Sequence, residues 1–226
     1  VEPLEGLRLR SQIGVDVLLN EDFLFFDPRH GDGVGNRGLS FKGFAPSTSW
    51  TWTNTLSYDR TIAEDHKINA VIGNEYQQTE STFFQAQATQ LSDRFFANLI
   101  TGSFTTPNVF GGIGLFGIES YFARVQYQFR DRYIVNGTFR RDFLSSLPQG
   151  NQGGNFPSFS VGYRISSEEF FQDLVGDNVN NLLLRFSYGR VGNALQGFPF
   201  LGTFGAGQYG PQNGLTFASV GNPELR

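Results

Sequence analysis

The sequence predicts an all-β fold, built from about seven or eight antiparallel transmembrane β-barrel strands. Three observations carry this expectation. Apolar and polar side chains alternate with a period of two, the alternation recurs in runs of about ten residues, and short and long connections take turns between the runs. Successive side chains of a strand point to opposite faces, so each run is a strand with one apolar and one polar side.

Taken in chain order, the first run covers residues 7–19, with Leu7, Leu9, Ser11, Ile13, Val15, Val17 and Leu19 opposing Arg8, Arg10, Gln12, Gly14 and Asp16. The second, 50–62, sets Trp50, Trp52, Asn54, Leu56 and Tyr58 against Thr51, Thr53, Thr55, Ser57 and Asp59. The third, 67–78, sets Ile68, Ala70, Ile72 and Tyr76 against Lys67, Asn69, Gly73 and Glu75, with Val71 the exception on the polar side. The clearest signal is ESYFARVQYQFRDRYIVNGTFRRD at 119–142, two alternating runs joined at Asp131. Tyr121, Ala123, Val125, Tyr127 and Phe129 share one face there; Phe122, Arg124, Gln126, Gln128 and Arg130 share the other. Two further runs, 158–165 and 182–188, bring the number to seven, and a Gly-rich eighth is expected near 201–220.

Short connections are expected at 63–66, at Asp131, and over SSEEFFQDLVGDNVN, which reads as one amphipathic turn of helix. Long ones are expected at 20–49, 81–118, 143–155 and from 191 onward. Membrane barrels have short periplasmic turns and long extracellular loops, so this sorting is their signature. A soluble sandwich has no reason to segregate loops by length.

Composition agrees. Phe occurs 25 times and Gly 28 times, while charged residues make up only 17%. With no Cys there is no disulfide scaffold and no thiol nucleophile. The net charge of −4 comes without a Lys/Arg block, so no nucleic-acid partner is expected. No apolar run approaches the ~20 residues of a membrane helix. The absence of Met and of a signal peptide predicts a processed product or a fragment, and the whole of 1–226 reads as one partial barrel domain.

No enzyme is expected. His30 and His66 stand apart from any HExxH motif, and no zinc site is predicted. DPRHGDGVGNRG at 27–38 has acidic and Gly residues without EF-hand spacing, leaving loop calcium as the one cofactor considered. GGIGLFG at 111–117 lacks the Lys of a phosphate loop. Glu168 and Glu169 read as solvated acids near a helix start.

Parity places Arg124, Arg140, Arg164 and Arg185 on the lumen face of successive strands. They are the substrate-binding candidates, weighed against a polar wall paired with Glu75, Asp16 and Asp142. Trp50, Trp52, Tyr127, Tyr133, Tyr163 and Tyr188 fall on the lipid face near expected strand ends, where amphipathic rings form an interfacial girdle. Phe23, Phe25, Phe26, Phe83, Phe84, Phe95, Phe96, Phe110, Phe116, Phe198, Phe200 and Phe204 lie in the expected long loops, as small loop cores or as a contact surface. Asn54 and Asn74 break the pattern, since parity puts both amides towards lipid. A bond between them or a bulge that shifts the register would relieve that cost.

Several stretches together resemble the SusC/RagA type of TonB-dependent outer-membrane transporter. They are HKINAVIGNEYQ from His66, YFARVQYQFRDRYIVNGTFRRD at 121–142, GNFPSFSVGYRISSEEFF at 154–171, NNLLLRFSYGRVGN at 180–193 and GNPELR at 221–226. The resemblance implies a bacterial outer-membrane location and a barrel of about 22 strands around a plug. It also implies active import of an oligomeric nutrient, most often a glycan and sometimes a peptide, with a SusD-like surface lipoprotein as partner and a TonB complex acting through the plug. Plug, TonB box and a terminal aromatic have no counterpart here, and Arg226 stands last, so an internal barrel segment is expected. Two other readings stay open: a soluble all-β carbohydrate-binding module, and a passive porin or adhesin barrel.

Overall fold

The computed structural model describes residues 5–92, 104–175, 179–193, 197–209 and 212–225. Seven strands, β1 (Leu7–Phe26), β2 (Leu39–Ile62), β3 (His66–Leu91), β4 (Phe104–Phe129), β5 (Tyr133–Leu144), β6 (Gly153–Arg164) and β7 (Leu183–Gly189), form one sheet in that order. Each strand lies beside its sequence neighbour, the meander that short hairpin turns enforce. A second sheet pairs β8 (Thr203–Tyr209) with β9 (Gln212–Ser219), and the helix α1 spans Glu169–Val175. The expected eighth strand is therefore a separate Gly-rich hairpin among the described residues.

The strands divide between two compact units, residues 1–13, 51–77 and 116–226 in one and 14–50 and 78–115 in the other. The first holds the predicted hairpin. Its register pairs Ala123 with Phe139, Val125 with Gly137, Tyr127 with Val135 and Phe129 with Tyr133. β6 continues the same rows, Tyr133 facing Tyr163 and Val135 facing Val161, and β7 sets Phe186 against Val161 and Tyr188 against Phe159. Because strand pairing preserves the face, the apolar side is continuous over four strands.

Exposure on this sheet runs opposite to that of a water-soluble fold. On β5 the exposed residues are Tyr133, Val135, Phe139 and Arg141, while Ile134, Asn136, Thr138, Arg140 and Asp142 are half-buried. β6 repeats the pattern, with Phe159 and Val161 exposed and Ser160 and Gly162 shielded. Polar side chains crowd one another and apolar ones splay apart, as expected of a sheet curled towards its polar face. Among the described residues Ala88 is the one buried hydrophobic side chain. A soluble chain of this length buries roughly 70% of its surface around an apolar core.

Two tight turns close one end of the first unit. The chain turns through 130–132 with Arg130 and Asp131 both left-handed (φ 49° and 54°) and Arg132 N–H bonded to Phe129 O at 3.0 Å. Two consecutive left-handed residues give the type I′ twist that matches paired strands. Ala63 and Glu64 do the same at 63–65 (φ 48° and 62°). Side chains clasp the turns together: Arg130 Nε donates to Asp65 Oδ2 at 3.0 Å and Lys67 Nζ to Asp131 Oδ1 at 2.6 Å. Glu168 is not the free acid the sequence suggested, for it accepts from Arg132 at 2.8 Å and is largely covered.

In the second unit the structure departs from expectation. Residues 20–49 and 81–118 read as long loops, yet most of them extend β1, β2, β3 and β4, leaving connections of 27–38 and 92–103. These extensions keep the apolar–polar alternation only in short pieces, as at 39–42 and 84–89, interrupted by pairs such as Phe25/Phe26 and Phe83/Phe84. A search for faces of about ten residues therefore misses them, but they remain strands of the sheet. The connection of 165–182, expected to be short, is longer than that of 145–152, expected to be long, so the alternation of short and long connections does not hold there.

Candidate functional site

The candidate site is the pair of faces of the first unit's sheet. On the polar face, rows of paired residues run across the strands: Gln126, Asn136, Ser160 and Ser187 form one, and Arg124, Thr138, Ser158 and Gly189 the next. Arg140 is the centre of a charge network. Its Nε donates to Asp142 at 2.7 Å, and its Nη2 donates to Ser120 at 2.8 Å and to Glu75 at 3.4 Å. Glu75 also accepts from Thr53 at 3.1 Å, and the guanidinium lies over the Phe122 ring at 6.0 Å. One cation between two carboxylates leaves a local excess of negative charge, offset by hydroxyl donors.

The other three arginines are not drawn into that network. Arg124 is exposed and donates to Gln126 at 3.1 Å. Arg164 is half-buried at the turn end of β6, and Arg185 is exposed opposite Gly162 on β7. Four arginines on one face therefore stand at separate heights. Paired strands run in opposite directions, so equal parity fixes the face of a residue and not its row.

The aromatic residues of the opposite face form two belts. Near the tight turns, His66 Nδ1 lies 2.7 Å from Tyr127 Oη, Phe129 and Tyr133 stack at 6.3 Å, and Tyr133 and Tyr163 stack at 5.1 Å with planes 8° apart. At the other end, Trp52 stacks on Tyr76 at 6.1 Å, Trp52 Nε1 donates to Ser11 at 3.0 Å, and Tyr76 and Tyr121 hydroxyls meet at 3.3 Å. Tyr121 also donates to Glu119. Eight residues of β4 separate the belts, about 26 Å along the strand and roughly 20 Å in height at a tilt of about 40°. That is close to the apolar band of a membrane barrel, which is about 25 Å tall. Val125, Val135, Phe139, Phe159, Val161 and Phe186 fill the interval and are all exposed.

Of the six girdle candidates, Tyr127, Tyr133, Tyr163 and Trp52 lie in these belts. Tyr188 packs on Phe159 at 6.0 Å in the row of Val125 and Gly137, between the belts, because β7 begins opposite Arg164 and ends at Gly189, short of the second belt. Trp50 falls in the second unit. Sequence reading placed Tyr76 and Tyr121 on the apolar face but not in the girdle, and it missed Arg141. Arg141 follows Tyr133, Val135, Gly137 and Phe139 on the apolar face, so period two alone would have found it.

In the second unit Lys42 Nζ sits 5.7 Å over the Phe23 ring, beside a recess of about 590 Å³ lined by Glu21, Asp22, Phe44 and Phe84. Phe83 packs against Gly112, where a Cβ would lie 2.6 Å from the ring. Phe95 and Phe96 lie outside the described residues. No group of three or more metal-ligating side chains occurs among the described residues, and in the 27–38 connection Asp27 is engaged by Arg29 through two hydrogen bonds at 3.0 Å. With Arg29 on both its oxygens, Asp27 has little left for a calcium ion.

No protein-family model matches the chain. Among curated proteins it is 29% identical over 162 residues to TonB-dependent receptor P26 of Formosa agariphila, covering 71% of this chain and 16% of that receptor. It is 26% identical over 227 residues to TonB-dependent receptor P39 of the same organism, covering 97% of this chain and 21% of the relative. A 75-residue stretch is 35% identical to TonB-dependent receptor SusC of Bacteroides thetaiotaomicron, covering 33% of this chain and 7% of that receptor. The chain thus spans about a fifth or less of the length of the curated relatives it matches. Among solved structures, the RagAB peptide importer in its closed-closed state shares the fold at a TM-score of 0.80 and 23% identity, covering 100% of this chain and 25% of that one.

Proposed function

Because the chain belongs to the SusC/RagA type of TonB-dependent outer-membrane receptors, we propose that it forms part of a barrel wall through which an oligomeric nutrient is actively imported. The observation that carries this reading is the inverted exposure of the first unit, whose valines and phenylalanines are left open while its polar residues shield one another. Fully burying one such side chain is worth about 1.5–3 kcal/mol. Six half-exposed ones held in water would forfeit roughly 5–8 kcal/mol, comparable to a whole domain's stability. Lipid removes that penalty. The soluble binding-module reading leaves it in place.

On this reading the polar face lines the lumen, where the Arg140 network holds β3, β4 and β5 in register against a plug or a passing ligand. The strand extensions of the second unit form the extracellular vestibule, and their aromatic surface receives a SusD-like lipoprotein. The cargo is a glycan or a peptide oligomer. The lumen rows of Asn, Gln, Ser and Thr suit hydroxyl or amide ligands alike, and the RagAB structures are of a peptide importer.

The test uses cells in which the complete protein is deleted and then restored. Growth on one oligomeric nutrient is expected to fail on deletion, return with the intact protein, and fail again when the proton gradient is collapsed. Uptake that persists without the gradient would mark a passive porin instead.

A further inference from the structure

Among the described residues, Arg141 has no carboxylate partner and stands on the face opposite Arg140. Arg141 is exposed, pairs with Tyr121 across β4 and β5, and lies over the Phe143 ring at 4.9 Å. Its neighbour Arg140 is held by two acids on the other face; Arg141 makes no ion pair among the described residues. Trp52, Tyr76 and Tyr121 form the belt farther from the tight turns, and Arg141 is in register with Tyr121. It therefore sits at the level of a membrane–water interface. A cation costs about 0–1 kcal/mol there, against 2–4 kcal/mol at the bilayer midplane.

Directly beneath this row lies a depression of about 760 Å³ on the apolar face. One step below the belt come Asn54, Asn74, Ala123 and Phe139, each two residues along its strand from Trp52, Tyr76, Tyr121 and Arg141. One step further come Leu56 and Ile72. Ala123 makes room for the depression, since its short side chain stands between Tyr121 and Val125 on the apolar face. The Asn54 and Asn74 amides make no side-chain hydrogen bond among the described residues. The bond between them considered from sequence does not form, and both amides line the depression. Descending from the interface, the slot thus offers a guanidinium, then two amides, then aliphatic side chains.

We propose that this slot binds one phosphate-bearing, acylated lipid of the outer leaflet. The guanidinium takes the phosphate, for which its planar fork is suited. The two amides donate to the ester carbonyls, which lie one step deeper than the phosphate in any glycerol- or sugar-based lipid. An acyl chain then runs over Leu56 and Ile72. The spacing of about 6.6 Å per step along a strand matches that sequence of chemistries. The proposal rests on the barrel reading, since it takes the apolar face as lipid-facing.

The test is native mass spectrometry of the complete protein released from detergent after titration with dioleoyl phosphatidic acid. Dioleoyl phosphatidylcholine and inorganic phosphate serve as separate arms. Heat-modifiable gel migration first establishes that each variant is a folded barrel. Phosphatidic acid is expected to remain bound to the wild type and to lose on the order of 10-fold in occupancy with Arg141→Gln, the loss of one charge-assisted contact. Ala123→Phe, which fills the slot at a lipid-exposed position, is expected to lose binding while Arg141 stays in place. Arg124→Gln on the opposite face is expected to bind as the wild type does. Equal retention by wild type and Arg141→Gln, both folded, would overturn the site and leave the barrel intact. Full competition by inorganic phosphate would overturn the lipid as occupant. Failure of the wild type to migrate as a folded barrel would overturn the barrel reading itself, and the slot with it.

Discussion

Val125 offers a quantitative separation between a lipid-facing and a water-facing sheet. It lies midway between the two aromatic belts, opposite Gly137, and is 51% exposed. In water, replacing a half-exposed valine by arginine would change stability by no more than about 0.5 kcal/mol. At the centre of a bilayer the same change costs about 2–4 kcal/mol, or roughly 30- to 1,000-fold in the unfolding equilibrium. Gln126→Arg is the matched control, because Gln126 points to the other face, in the row of Asn136 and Ser160, and should move stability by less than about 0.5 kcal/mol. The assay is guanidinium unfolding of the complete protein in lipid vesicles, with wild type and both variants measured at one lipid ratio. Val125→Arg near wild type, or Gln126→Arg the more harmful of the two, would refute the assignment of faces.

Other consequences follow from the same geometry. Gly73→Ala should destabilise by about 1–3 kcal/mol in the same unfolding assay, because its Cβ would meet a backbone oxygen that cannot move aside. Arg140→Ala should cost about 1–2 kcal/mol, discounted for a side chain 39% exposed. Adding Glu75→Gln should recover part of that loss, and a double-mutant cycle reads the coupling. In the 27–38 connection, the Arg29 guanidinium and backbone N–H hold the Asp27 carboxyl at about 2. Its contribution is therefore complete above the ordinary carboxylate range near pH 4 and is lost as pH falls through about 2. Carboxyl titration by NMR should show that low midpoint, and Arg29→Ala should return it towards 4.

The hairpin at 119–142 is legible to the residue, because one face is apolar and the other polar, and that difference writes itself into alternate positions. The same logic failed for β1 to β4 beyond that zone. There the alternation survives only in short pieces, such as Phe84, Ala86 and Ala88 against Gln85 and Gln87, and adjacent aromatics such as Phe25/Phe26 and Phe83/Phe84 break it. The arginines show a second limit. Parity identified a common face for Arg124, Arg140, Arg164 and Arg185, but the acids that select Arg140 come from β3 and from its own strand two residues on, a coincidence of register that no single run encodes. Arg141 was equally legible by parity and was passed over beside Arg140. Asn54 and Asn74 stood out in the sequence as misplaced amides, and the structure puts both in the one depression beneath Arg141.

The central claim is that alternate residues of β4 face lipid and lumen. The chain has no Cys, so single cysteines at 122 through 127 of the complete protein, spin-labelled in lipid nanodiscs, report each position separately. Collision with oxygen, which partitions into lipid, should peak at 123, 125 and 127. Collision with a water-soluble nickel chelate should peak at 122, 124 and 126. Uniform access to the nickel chelate, or the opposite phase, would contradict the account.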